Sequence, residues 1–121
     1  SLAFDKDIMA TFESYFINDK EAQKEIKGHY SRENQERLAH LYRKVGDVYF
    51  EIDAFNKGYE YLNKSLQIRI ETHETFNDVQ SAKALFYAIW TLSERIEKKY
   101  PDSAEFLRNK MAELKKEWPD I

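Results

Sequence analysis

Few side chains in this sequence could do chemistry, and their spacing decides what chemistry is open to them. The imidazoles are His29, His40 and His73. A helical metal site needs ligands three or four residues apart, so that they converge on one face. No His pairs with another His at that spacing, and neither Glu36 nor Glu71 supplies the Glu-x-x-His spacing of di-iron bundles. There is no Cys, which removes thiol nucleophiles, disulfides and thiolate-held metals. The three glycines stand alone at 28, 46 and 58, so no glycine-rich loop can cradle a phosphate. No Gly-x-Ser-x-Gly nucleophile elbow occurs. The sequence therefore predicts a protein that is not an enzyme and has no metal site and no cofactor. The histidines are expected at the surface or half-buried.

Composition narrows the class. The chain has 121 residues, 42% apolar and 34% charged, enough for one folded domain over 1–121 with a real core. Only 3 Gly and 2 Pro are present, too little turn chemistry for an all-β protein. Helices with short connections are the expectation. A net charge of −3 offers no general attraction to nucleic acid or to an anionic membrane. The basic residues Lys98, Lys99, Lys110, Lys115 and Lys116 are interleaved with Glu97, Glu113 and Glu117. Such alternation marks a solvated, ion-paired helix face. No apolar run approaches the roughly 18 residues that span a bilayer. The absence of Cys suits a cytoplasmic location. The chain opens on Ser1-Leu2 without Met, as a piece of a longer protein would.

The helices can be placed from periodicity and punctuation. Phe4, Ile8, Phe12 and Phe16 recur every four residues and predict a helix over about 3–17. It either ends at Asn18-Asp19, with a short second helix to Lys27, or runs on to Lys27; Gly28 stops it in both cases. Ser31 is an N-cap for a helix to about Ile52 that carries Leu38, Leu41, Tyr42, Val45, Tyr49 and Ile52 inward. Asp53 marks a turn. The next helix runs from Ala54 to about Thr72, with Phe55, Tyr59, Leu62 and Leu66 on its main apolar face and Tyr61 and Ile68 off it. Two apolar flanks mean packing on two sides. A loop is expected at 73–77. Asn77 or Asp78 then caps a helix to about Lys99. Its inner face is Val79, Ala82, Leu85, Phe86, Ile89, Leu92 and Ile96. Pro101 breaks the chain, Asp102-x-x-Glu105 reads as a capping-box variant, and a last helix over 103–117 presents Phe106, Leu107, Met111 and Leu114.

One stretch is more specific. It reads Tyr42-x-x-Val45-Gly46-x-x-Tyr49, then Gly58-x-x-x-Leu62-x-x-Ser65. It resembles a tetratricopeptide repeat (TPR), a helical hairpin whose pattern is W-x2-L-G-x2-Y…A-x3-F…P. Tyr42 stands for the Trp, Val45 for the Leu, Gly58 for the first Ala and Leu62 for the Phe; the closing Pro is missing. A second, degenerate copy places Ala82-x-x-Leu85-Phe86-x-x-Ile89 over the first, with Phe86, too bulky for a close helix crossing, in the glycine's place. The resemblance implies an all-α fold of antiparallel hairpins, five to six helices stacked as a short TPR-like superhelical array. The best-matching repeat covers 31–72; 78–99 and 103–117 form a degenerate second hairpin or capping helices. Gly46 should mark a close helix crossing. Gly58→Ala should be neutral or stabilising, because the family prefers Ala there.

In TPR proteins the other face of each first helix lines a groove for an extended peptide or a partner helix. Carried onto this chain, that face is His40, Arg43, Lys44, Asp47, Phe50 and Glu51, followed by Gln80, Lys83, Tyr87, Trp90 and Glu94. Phe50, Tyr87 and Trp90 are large aromatics of the type that anchors interfaces. Asp47 stands where the chaperone-binding members carry an Asn, so their carboxylate specificity is not carried over. Should the N-terminal helix fold into the groove, Phe50 and Trp90 are core instead. The expected function is a non-catalytic protein- or peptide-binding scaffold, part of a larger regulatory or assembly protein. Its partner would be a protein or peptide, and neither nucleic acid nor membrane. The alternative is a structural module for self-association, giving a homo-oligomer, or for inter-domain packing.

Overall fold

The computed structural model describes residues 31–121, of which Gln35–Ile121 form one compact unit. The described residues are all helical apart from their connections. They make four helices: α1 (Arg32–Glu51), α2 (Phe55–Phe76), α3 (Val79–Ile96) and α4 (Pro101–Glu117). The N-terminal helix or hairpin expected over 3–27, its stop at Gly28, and His29 lie outside the described residues.

Local chemistry sets the helix ends. The Asn34 N–H donates to Ser31 Oγ at 3.2 Å, the N-cap expected of Ser31. α1 closes on Asp53, whose φ of 62° is left-handed; Ala54 N–H reaches Tyr49 O at 2.8 Å and Asp53 N–H reaches Phe50 O at 3.1 Å. This is a Schellman ending built on Asp rather than Gly. α2 runs a turn further than the sequence suggested. His73 to Phe76 are helical, and the loop placed at 73–77 shrinks to Asn77 and Asp78. Nothing in Glu74-Thr75-Phe76 breaks a helix, and the first residue that readily turns left-handed is Asn77 (φ 46°).

Asp78 begins α3 with a reciprocal cap. Its carboxylate accepts from Ser81 N–H at 2.9 Å, and its own N–H donates to Ser81 Oγ at 3.2 Å. Asp78→Ala should therefore cost about 1 kcal/mol of stability, read as a shift in the urea midpoint. α4 starts two residues earlier than expected, with Pro101 at its first position and Tyr100 as an N-cap that makes no side-chain bond. Asp102 lies inside the first turn. It does not cap, and instead complements the positive end of the helix.

The core joins all four helices. Tyr61 of α2 packs between two α1 rings, 5.8 Å from Tyr42 and 5.7 Å from Tyr49 by ring centroid. Ser65 Oγ donates to the Ala39 carbonyl at 2.7 Å in the same buried layer. Leu62 and Leu66 then continue into a cluster with Ala82, Leu85, Ile89, Ile96, Ala104 and Leu114. Three residues expected inside are not. Val79, Tyr59 and Phe106 are exposed, while Ala39 and Ala104 are fully buried. Phe86 is half-buried, and the small buried residues of the second hairpin are Ser81, Ala82, Ser93 and Ala104.

Gly46 sits at a close approach of α1 and α2. A Cβ there would lie 3.1 Å from the Gly58 carbonyl oxygen and 3.1 Å from the Leu62 side chain. Gly58 overturns its expectation. A Cβ on it would lie 2.6 Å from Phe50 Cδ2 and 2.8 Å from Phe50 Cγ. The ring's root cannot swing aside as a flexible chain end could, and Phe55 packs edge-on against the ring at 5.3 Å. Gly58→Ala should then be destabilising by about 1–3 kcal/mol, the usual overpacking range, despite its better helix propensity. A denaturant melt that showed it neutral would mean Phe50 has room to move.

Candidate functional site

Two cross-links fix how α1 and α3 stand. Near their starts, Gln80 Nε2 donates to Glu36 Oε1 at 2.8 Å. Near their ends, the Arg95 guanidinium lies 3.4 Å from Asp47 Oδ1. The two helices therefore run side by side in the same direction. The linked residues are 44 and 48 apart, not the 40 of the sequence register.

The face assigned from sequence divides over this pair. On α1, His40, Arg43, Lys44 and Glu51 are exposed, and Asp47 is half-buried. Asp47 is the hub, held by Arg43 of its own helix at 3.8 Å and by Arg95 of α3. Two guanidinium groups therefore offset the negative charge of Asp47. Arg95 also lies over the Phe50 ring at 5.3 Å. Phe50 leans toward α2, covering Gly58, so it is a half-buried packing residue more than a free anchor.

On α3, Lys83, Tyr87, Trp90 and Glu94 are exposed. Tyr87 is 47% and Trp90 46% exposed, with ring centroids 6.3 Å apart and planes at 68°. Three residues along a helix is about 60° short of a full turn. Trp90 therefore sits around the helix from Tyr87, and the two form a broad aromatic edge rather than a single point. Helical spacing does not put Arg95 on this face; its contact with Asp47 brings it into the strip.

Arg69 of α2 feels the same charges. Burial lowers its guanidinium pKa; Glu36 opposes that and Arg43 adds to it. Glu36 thus faces the half-buried Arg69 on one side and accepts from Gln80 on the other.

The remaining histidine is structural. His73 Nδ1 is 2.7 Å from Ser81 Oγ, and its ring meets Trp118 edge-on at 5.7 Å. That ties the end of α2 to the α3 cap and the end of α4. Among the described residues, no group of three or more His, Asp or Glu is gathered to hold a metal ion. No described helix is long and apolar enough to cross a membrane.

No protein-family model matches the chain, and no solved structure matches it. Two curated proteins are similar over short segments. A fructose-1,6-bisphosphatase class 3 of Phocaeicola vulgatus is 57% identical over 42 residues, 34% of this chain. A protein of the same description from Bacteroides thetaiotaomicron is 74% identical over 27 residues, 22% of this chain. The matched segments span only 6% and 4% of the length of those relatives.

Proposed function

We propose that the chain is a non-catalytic protein- or peptide-binding module of TPR-like build, serving a larger regulatory or assembly protein. Support for the build comes from the small residues Gly46 and Gly58 meeting where the repeat pattern wants them, and from α1 and α3 lying parallel as first helices of successive hairpins. The observation that carries the binding reading is the Tyr87–Trp90 edge. Two large aromatics at nearly half exposure contribute little to the core, yet offer the rigid apolar area that dominates interface energetics. Beside them, Lys83, Arg43 and the Asp47–Arg95 pair offer both signs of charge. The matching ligand is an extended, mixed-charge peptide carrying an apolar side chain.

A displayed library of random peptides, panned against the chain, tests this. The enriched sequences should carry an aromatic or aliphatic anchor. Trp90→Ala should weaken their binding by about 2 kcal/mol or more. Its thermal stability should stay within about 0.5 kcal/mol, as for an ordinary surface change. Unchanged affinity together with a large stability loss would make Trp90 a packing residue and end the reading.

A second reading draws on the comparisons. Short segments like this chain's recur inside much longer proteins, as expected for a structural piece that packs between domains or against its own copy. A mass that rises with concentration in sedimentation would favour that reading.

A further inference from the structure

A second surface, separate from the α1–α3 strip, lies between α2 and α4. These helices also run in the same direction. Tyr59 meets Tyr100 at 6.4 Å near their starts, and His73 meets Trp118 at 5.7 Å near their ends. Between them is an open groove of about 730 Å³. Leu85, Ile89 and Ile96 of α3 form its floor, and Ile70 and Leu107 stand on its walls. Tyr59 and Phe106 edge it, and Phe106, at 60%, has the most exposed large apolar side chain among the described residues.

The rim is asymmetric in charge. On the α2 side it is neutral, with Asn63 and Gln67. On the α4 side it carries Asp102, Glu113 and Glu117 against Lys110 alone. Lys110 is already 3.5 Å from Glu113, and Asp102 complements the positive start of α4, so Glu117 is the rim carboxylate that neither offsets. Glu117 also stands at the C-terminal end of α4, where the helix carbonyls add partial negative charge. The last-turn lysines do not cancel this in the groove. Lys115 reaches the Ile121 carbonyl, and neither it nor Lys116 lines the groove.

We propose that this groove receives an amphipathic helix of a partner protein, apolar toward α3 and basic along the edge that lies on α4. The walls favour a helix over an extended strand. Both flanking elements are helices whose backbone groups are internally bonded, so an extended peptide would find no sheet edge to pair with, whereas a helix satisfies its own backbone. α4, with 17 residues, gives the groove a length of about 25 Å, four to five turns of a docked helix. The acidic rim selects a cationic partner and repels nucleic acid or an anionic membrane. The proposal stands apart from the Tyr87–Trp90 edge and uses none of its residues.

The test is an anisotropy titration of the whole chain with a labelled synthetic helical peptide. Its apolar face is leucine at helical spacing, and its flank is lysine and arginine. A twin peptide carries glutamate in place of the basic residues. The basic peptide should bind saturably, with the acidic twin weaker by about tenfold or more, and added salt should narrow the gap. Phe106→Ala and Glu117→Lys should each weaken the basic peptide by about tenfold, while Trp90→Ala leaves it unchanged. Both changes are at exposed positions, and an unaltered far-ultraviolet spectrum would show that the variants fold. Equal binding of the two peptides, no binding, or binding indifferent to Phe106 and Glu117 would overturn the proposal. So would a self-association that Phe106→Ala abolishes, since the occupant would then be a second copy.

Discussion

Tyr61→Ala is expected to remove about 3–5 kcal/mol of stability, the loss typical of a large aromatic taken out of a core. Tyr61 is 1% exposed and lies between Tyr42 and Tyr49, its ring nearly parallel to that of Tyr49 at 11°. Lys64 lies over the same ring, with Nζ 4.8 Å from its centroid. Removing the ring leaves a cavity between α1 and α2 that two stiff tyrosines cannot fill. It also forfeits aromatic contacts worth about 0.5–1.5 kcal/mol each beyond area burial. Tyr61→Phe keeps the stack and should retain most of the stability. Urea melts of both variants, analysed for midpoint and slope, check this. A Tyr61→Ala loss below about 1 kcal/mol would show that α1 is held to α2 by something other than this layer.

Gly46→Leu should cost about 1–3 kcal/mol or more, because the site is bounded by backbone as well as by a side chain. The Leu62 methyl could rotate away, but the Gly58 carbonyl, 3.1 Å from the would-be Cβ, is fixed in α2. The helices must move apart to admit even the first carbon. The strain then reaches the buried Ser65–Ala39 hydrogen bond, which also spans α1 and α2. Fluorescence-monitored unfolding measures the loss. A harmless Gly46→Leu would remove the crossing on which the hairpin rests.

These two variants also separate what was readable from what was not. Periodicity in the sequence placed Tyr42, Val45, Gly46 and Tyr49 on one buried face, because a 3.6-residue repeat fixes angles around a helix's own axis. Ser31, Asp53, Asp78 and Pro101 marked ends correctly, because capping and turning depend on neighbours three or four residues away. The all-helical class followed from the scarcity of Gly and Pro. None of this says which neighbour covers a face. Spacing alone puts Tyr59 inside and Tyr61 off the main face, whereas Tyr61 is the buried one and Tyr59 is 38% exposed. For the same reason Gly58 looks replaceable: the ring that fills its space belongs to Phe50, on another helix. Family preference for Ala describes the average occupant of a position, and the local neighbour decides the individual case.

The candidate strip divides in the same way. Arg43, Asp47, Lys83, Tyr87 and Trp90 could be read from helical spacing as outward residues. Their grouping depends on α1 and α3 lying side by side, which Glu36–Gln80 and Asp47–Arg95 establish at separations of 44 and 48 residues. Arg95 shows the limit most plainly. On its own helix it is one more exposed cation, and only the neighbouring helix turns it into the partner of Asp47 and the cover of Phe50. Sequence alone determined which residues each helix shows and hides, since that depends on bonds within a few residues. Tertiary packing decided which shown faces meet, since that depends on side-chain volumes and charges brought together from distant parts of the chain.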